Sequence, residues 1–380
     1  MKKHTGKFRI KKPSVIRRTG AVDMYLLITF LALIVFGVLM VASASGPYAL
    51  KIADDYFYYF QRDLVFAILS CILMLIVSLI DYRLYRKYAL FFYIFPMLLC
   101  LLIFTPLGET TNGARRWFRI GQFTFMPSDL LKVGSIIFLS RYLSSRRLEE
   151  NGTLSHLMVV LFFVGITILP ILLQPNLSAF IVISLTLLAL YYMGGMNNWH
   201  IPLLIFLALV AIFVLYKFGP DYAKLRIQAL LHPNFDPTGA SWQPLQSRYA
   251  VSSGGFFGLG FGESRIKYDN LADEPHNDFI FAVLCEELGF IGAFFFLLTY
   301  CFLIYRALWV SGQARSNFGR LLGYGLTFLI ALQAMVNIGV AIGLLPPTGI
   351  TLPFISYGGS SLLVMSGIAG ILLNISKDSI

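Results

Sequence analysis

Ten apolar runs divide the chain, at about 24–44, 64–80, 88–107, 127–143, 155–174, 177–193, 201–218, 278–305, 321–344 and 356–375. Most approach the roughly 20 residues that a helix needs to cross the hydrocarbon core of a bilayer. Charge is too scarce for a water-soluble globule: 13% of residues are charged, against about 25% in ordinary soluble domains. The mean hydropathy of +0.74 agrees. The expected fold is therefore an all-α polytopic membrane protein of ten transmembrane helices, one membrane domain over 21–380 behind a basic tail at 1–20. The first run is longer than the apolar segment of a cleavable signal peptide, and further spans follow at once, so it is read as a retained helix. The runs before and after residue 194 match neither in length nor in motif, which argues against an inverted repeat. Cys71, Cys100, Cys285 and Cys301 all fall in apolar runs and make neither a disulfide framework nor a metal-ligand spacing.

Lysine and arginine set the expected orientation. With an even number of spans both termini share a side, and that side carries 8 basic residues in 1–20, 3 in 81–88, 3 in 141–153, 3 in 306–320 and Lys377, or 18 of the 30. Long loops translocate largely regardless of charge, so 219–277 is left out of the count; both termini are then cytoplasmic and 219–277 becomes a large extracytoplasmic loop between the seventh and eighth helices. The tail "KKHTGKFRIKKPSVIRR" reads as a topology signal and an anionic-lipid contact, not as a nucleic-acid-binding arm.

Against that orientation rule, "NGARRWFRIGQFTFMPSDLLK" places Arg115, Arg116 and Arg119 outside, with Lys132 about a turn and a half into the next helix. Either the arginines and Trp117 anchor headgroups, or an anion is held there. A cation inside a span costs roughly 2.5 to 3.5 kcal/mol at the centre unless paired or wet, and the nearest local partner for Lys132 is Asp129, three residues earlier on the same face. The segment 219–277 contains "SGGFFGLGFGES", whose glycines suit tight turns or close backbone approach. With no GK[ST] ending and no preceding strand, it is not a phosphate-binding loop.

"DEPHNDFIFAVLCEELGF" puts Asp278 at the exterior mouth of the eighth span and Glu286 and Glu287 deeper in it. The separation along a helix axis is about 12 Å at roughly 1.5 Å per residue. That exceeds the roughly 5 Å of a retaining carboxylate pair and the roughly 6.5 to 9.5 Å of an inverting glycosidase pair. One carboxylate working alone is expected, as a base opposite a leaving group such as pyrophosphate that departs without protonation when cations take up its charge. Asp278 could equally cap the helix, and Glu286 and Glu287 could pair with another helix. His276 reads as a loop hydrogen-bond donor with no second histidine at ligand spacing.

Together, "GARRWFRIG", "MPSDLLK", "QPNLS", "QSRYAVSSGGFFGLGFGESRIK", "EPHNDFIFAVLCEELGFIG" and "GLLPPTGITLPFISYGGSSLLVMSGIAGILLNIS" resemble the shape, elongation, division and sporulation proteins, ten-span polymerases of bacterial peptidoglycan. "GFGESRIK" and "GILLNIS" look more like the division and sporulation branch than the rod-shape branch. The resemblance implies transfer of a lipid-linked disaccharide-peptide (lipid II) onto a growing lipid-linked glycan strand, with inversion at the anomeric carbon, on the outer face of the cytoplasmic membrane. It implies Asp278 as the catalytic base, with Arg115, Arg116 and Lys132 on pyrophosphate. Substrate binding is further implied for Gln246, Ser247, Glu274, His276, Ser356, Gly358, Gly359 and Ser360. A class B penicillin-binding protein, a transpeptidase, is the implied partner among other division proteins. No cofactor is certain, and a divalent cation, magnesium or manganese, stays open. The chain departs from the family's common pattern at Asp129, Asn176 and Asp273, where Glu, Asp and Pro are usual. Two other functions compete: a flippase for the same precursor, and a scaffold without chemistry of its own. Rod-shape elongation competes as the cellular role.

Overall fold

The computed structural model describes residues 20–111, 114–121, 123–145, 153–218, 221–232, 236, 239, 241–269 and 275–378. The basic tail therefore lies almost entirely outside the described residues, as do Asp273 and Glu274. Helices occur where each of the ten apolar runs was read: α1 (Met24–Ala53), α2 (Tyr58–Leu79), α4 (Ala89–Leu102), α5 (Pro127–Ser144), α6 (Leu154–Leu173), α7 (Leu177–Met193), α8 (His200–Phe218), α12 (Ile280–Gly312), α13 (Asn317–Ala341) and α14 (Gly359–Ser376). Among the described residues six of them, α1, α2, α6, α12, α13 and α14, are long and apolar enough to cross a membrane. Short α3 (Arg83–Lys87) precedes α4, and the long segment folds into α9 (Asp221–Leu231), α10 (Trp242–Ser253) and α11 (Ile266–Asp269).

Two departures from the sequence expectation matter. The chain is not all helix: 108–125 forms an antiparallel meander of β1 (Gly108–Thr111), β2 (Ala114–Ile120) and β3 (Phe123–Phe125) in the order β1-β2-β3. Aromatic and branched residues favour strand here, and Gly121 at φ +64° supplies the turn into β3. The run 88–107 accordingly ends as helix at Leu102. The second departure is at the last run, where the backbone is extended or turning over 344–358 and helical only from Gly359. That non-helical stretch supplies one wall of the cavity described below.

Helix starts follow local chemistry. Asp23 caps α1 by accepting from the Leu26 amide at 2.9 Å, and Ser316 caps α13 by accepting from the Gly319 amide at 3.0 Å. Close packing of α4 on α5 depends on Gly134, where a Cβ would stand 2.0 Å from the Phe92 carbonyl oxygen. At the ends away from the cavity, Arg306 donates to Asp23 at 2.5 Å, and Tyr82 and Arg83 both donate to Asp378, at 2.6 and 3.2 Å.

Inside α12 the helix breaks at Gly289 (φ 65°, ψ −168°). The glycine-rich loop fills the break: the amides of Leu259 and Gly260 donate to the carbonyls of Glu286 and Glu287 at 2.9 and 3.0 Å, and those of Phe290 and Ile291 donate to Gly255 and Phe256 at 2.8 and 3.2 Å. Both glutamates are buried and hold the same loop. Glu286 accepts from the Ser264 hydroxyl at 2.5 Å and the Ser253 hydroxyl at 3.2 Å. Glu287 accepts from Lys267 at 2.9 Å and from Ser43 of α1 at 2.6 Å. The pairing expected between helices is thus made mainly with the loop, because the break exposes backbone groups that only an inserted segment can satisfy.

Candidate active site

A cavity of about 950 Å³ opens between the N-terminal turns of α2, α5, α7 and α14, the strands β2 and β3, α9, the 275–279 turn and the 349–351 stretch. Its lining carries four cations, Arg62, Arg116, Lys132 and Arg226, and two carboxylates, Asp129 and Asp278. Val65, Phe66, Trp117, Phe123, Met126 and Ile350 make the rest of the wall substantially apolar. A polyanion with an apolar attachment suits such a lining.

Asp278 precedes α12, whose N-cap is Phe279 with no side-chain bond. Two side chains and one amide clamp the turn. Asn337 of α13 donates to the carbonyls of Asp278, at 2.9 Å, and Ile350, at 2.7 Å. Ser356 donates to the Asn277 carbonyl at 2.6 Å while accepting from the Leu352 amide at 2.8 Å, and the Tyr357 amide donates to the His276 carbonyl at 3.0 Å. His276 itself, 1% exposed, packs among Tyr59, Tyr357 and Tyr48 with ring centroids 4.4, 5.2 and 5.6 Å away. Burial pulls its imidazole down to about 3, which keeps it neutral.

The cations fall into two groups. Lys132 and Asp129 meet at 2.7 Å with side chains 7% and 9% exposed, the local pairing that their spacing predicts. Arg116 is aimed by the carbonyls of Gln174 and Pro175, the loop before α7. Arg115 and Arg119 go elsewhere: Arg115 is exposed and donates to Thr110 at 2.9 Å, and Arg119 pairs with Glu109 at 2.8 Å. Neither lines the cavity. Arg116 and Trp117 of β2 reach the cavity, whereas Arg115 and Arg119 are held by Thr110 and Glu109 of the neighbouring strand β1.

Of the remaining expected residues, Gly358, Gly359 and Ser360 line the cavity. Ser356 and His276 stand behind its wall. Gln246 and Ser247 of α10 do not reach it: Ser247 is buried and donates to the Ala341 carbonyl at 2.6 Å. Asn176 caps α7 by accepting from the Ala179 amide at 3.1 Å, a job that needs no charge and explains how the missing carboxylate is tolerated there. Arg62, Arg226 and Asn337 were not singled out from sequence, although Asn337 gave a signal as an amide inside an apolar run. Among the described residues no group of three or more His, Cys, Asp or Glu side chains gathers as metal ligands would.

Residues 23–380 match the family model of the FtsW, RodA and SpoVE cell cycle proteins. Stage V sporulation protein E of Bacillus subtilis (strain 168) is 38% identical, the match covering 94% of this chain and 97% of that one. The probable peptidoglycan glycosyltransferase FtsW of Trichlorobacter lovleyi is 37% identical, with 94% of each chain covered. Among solved structures, a chain from a peptidoglycan synthase complex that coordinates polymerization and crosslinking superposes with a TM-score of 0.80 at 26% identity, covering 94% of this chain and 98% of that one. The rod shape determining protein RodA of Thermus thermophilus gives 0.70 at 26% identity with the same coverage. With almost its whole length matched in sequence and in fold, this multi-pass membrane chain belongs to the FtsW/RodA/SpoVE family.

Proposed function

We propose that the protein is a peptidoglycan glycosyltransferase that polymerises lipid II and uses Asp278 as its single base. The observation that carries this is the placement of one clamped carboxylate, Asp278, in the same cavity as Arg116 and the Lys132–Asp129 pair. The Asp278 carboxylate takes the proton from the acceptor hydroxyl. The freed oxygen lone pair forms the new bond to the anomeric carbon from the face opposite the pyrophosphate, the old carbon–oxygen bond breaks with its electrons leaving on pyrophosphate, and the configuration inverts. Arg116 and Lys132 take up the charge that develops on the leaving group, in a site whose apolar wall weakens screening. Arg62 and Arg226 add positive potential to the same cavity. Glu274 remains a proposed substrate contact outside the described residues.

Ten spans, both termini in the cytoplasm, 219–277 outside and the cavity on the outer face complete the reading, supported by the basic-loop asymmetry. A class B penicillin-binding protein is the proposed partner, supported by the match to a synthase complex that joins polymerization to crosslinking. Septum synthesis in division or sporulation is the proposed role, supported by the match to a family of cell cycle proteins and by a relative at 38% identity named for stage V sporulation.

The test is Asp278→Asn, purified and incubated with lipid II in the presence and absence of a class B penicillin-binding protein, with glycan chains read on a gel. Asn keeps the side-chain shape and is as good a residue at a helix start, so the amide should leave the melting temperature unchanged. Loss of a general base removes roughly 10² to 10⁴ in rate, so product should nearly vanish. A variant that polymerises within a few-fold of the parent would falsify the role given to Asp278.

A further inference from the structure

We propose that the glycine-rich loop 254–262 is a membrane-interface anchor, seated at the outer edge of the hydrocarbon core with Phe256, Phe257 and Phe261 entering the lipid. The height of the loop can be measured along two helices. On α1, the 20 residues from Asp23 to Ser43 rise about 30 Å at roughly 1.5 Å each; on α12, the 19 from Arg306 to Glu287 rise about 28 Å. The two rulers are tied to each other at both ends, by Arg306 on Asp23 at 2.5 Å and by Ser43 on Glu287 at 2.6 Å. Between those contacts neither 24–43 nor 288–305 contains any Asp, Glu, Lys or Arg. The hydrocarbon core of a bilayer is about 30 Å thick. The two polar contacts therefore mark its two edges.

The loop is docked at the upper mark. Its backbone bonds to Glu286, Glu287, Phe290 and Ile291, together with Ser264 and Lys267 on the glutamate carboxylates, fix it at that level. Those bonds also satisfy loop amides and carbonyls, which a segment entering a water-poor layer requires. Gly258, at φ +79°, allows the approach, since a Cβ there would stand 2.1 Å from the Glu287 carbonyl oxygen. The side chains left over are apolar and unburied: Phe256 is 68% exposed, Phe257 81% and Phe261 54%. They continue the lipid-facing ridge of α12, with Phe256 on Phe290 at 5.6 Å and Phe290 on Phe294 at 6.3 Å. Continuity with that ridge and height at the hydrocarbon edge favour lipid as the occupant.

Seated this way, the loop sets the height of the base. Asp278 lies just before the helical segment 280–288 whose far end the loop holds, on the side of that segment that opens to the cavity. This consequence rests on the proposed reaction; the seating does not.

The experiment uses the full chain in phospholipid vesicles, with Cys71 and Cys301 replaced by alanine and one nitroxide label at a time, introduced through Phe257→Cys or Phe261→Cys. Leu39→Cys, on α1 between the two marks, and Lys51→Cys, beyond the upper one, serve as lipid and water references. Power saturation compares collision with oxygen against collision with a water-soluble nickel chelate. The oxygen-to-nickel accessibility ratio at 257 and 261 should be several-fold above that at 51 and approach that at 39. A ratio equal to that at 51 places the loop in water and overturns the proposal. Protection from both reagents shows that protein, a second copy or a partner, covers the loop, and overturns it equally. Melting temperatures of the labelled variants exclude misfolding, and glycan synthesis measured in parallel tests the reaction without bearing on the seating.

Discussion

Asn337→Ala should uncouple stability from catalysis in a way that isolates the clamp on the base. Asn337 is 1% exposed, and its side-chain nitrogen donates to the carbonyls of Asp278 and Ile350 at 2.9 and 2.7 Å. One amide thus ties the turn that carries the base to the stretch that forms the facing wall. Alanine leaves two carbonyls without their donor, and each buried group so stranded costs about 1–3 kcal/mol, so a loss of roughly 2–4 kcal/mol is expected after partial relaxation. A buried amide at the opposite end of the molecule gives the control. Asn374 donates to the Ser78 carbonyl at 2.8 Å and accepts from the Tyr82 amide at 2.8 Å, far from the cavity. Asn374→Ala should lower the melting temperature by a similar amount. Only Asn337→Ala should also lower the turnover rate at saturating lipid II, by about 10² if the base shifts by an ångström, with KM changing little because no cation is disturbed. Initial rates of glycan synthesis across a lipid II titration separate the two parameters. Equal rates for the two variants, at matched stability, would show that Asn337 supports the fold and does not position Asp278.

Three further outcomes follow from named contacts. Arg116→Ala and Lys132→Ala should each weaken lipid II handling by about tenfold or more, equivalent to roughly 1.4 kcal/mol, whereas Arg115→Ala should stay near the parent in a polymerisation assay; an equal defect in all three would contradict the placement of Arg115 outside the cavity. Lys267→Met should destabilise the protein by about 3–5 kcal/mol by stranding a buried charge, since the Lys267 and Glu287 side chains are both 0% exposed; the double variant with Glu287→Leu should recover much of the loss in thermal unfolding, and no recovery would refute the pairing argument. His276, held down to about 3 by burial, is protonated first in the unfolded chain, so its contribution to stability is complete above about pH 6.5 and falls away between pH 6.5 and 3 at about 1.4 kcal/mol per unit. Melting temperatures at pH 7 and 5 should differ more for the parent than for His276→Gln, by an amount matching about 2 kcal/mol.

What sequence could reveal divides along the range of the interactions. Helix positions were legible because a long apolar run can satisfy its backbone in lipid only as a helix. The Lys132–Asp129 pair was legible because both partners lie within one turn of α5. Arg115 and Arg116 could not be told apart, because which one faces the cavity depends on the pairing of β2 with β1 and β3, and 108–125 had been read only as the connection between two apolar runs. Arg62 and Arg226 escaped notice for a different reason. Each is an ordinary residue in its own segment and reaches the cavity only when α2 and α9 converge on it. Asp278 lies at the mouth of α12 as read, but the contacts of Asn337, Ser356 and Tyr357 that hold its turn come from 59 to 81 residues away and leave no local signal.

The two buried lysines make the limit concrete. Lys132 and Lys267 are 6% and 2% exposed, and each meets a carboxylate, at 2.7 and 2.9 Å. By charge, burial and pairing they are alike. An ammonium carries three donors, however, and the two spend them differently. Lys267 donates to Glu287, to the Gly262 carbonyl and to Ser43, which uses all three and leaves nothing for a ligand. Lys132 donates once, to Asp129, and lines the cavity. Among the described residues its two remaining donors have no protein partner, and a pyrophosphate offers oxygens in the number and charge they need. The same residue type is therefore a rivet in one place and, in the proposed reaction, a binding group in the other, and the count of donors already committed is what separates them.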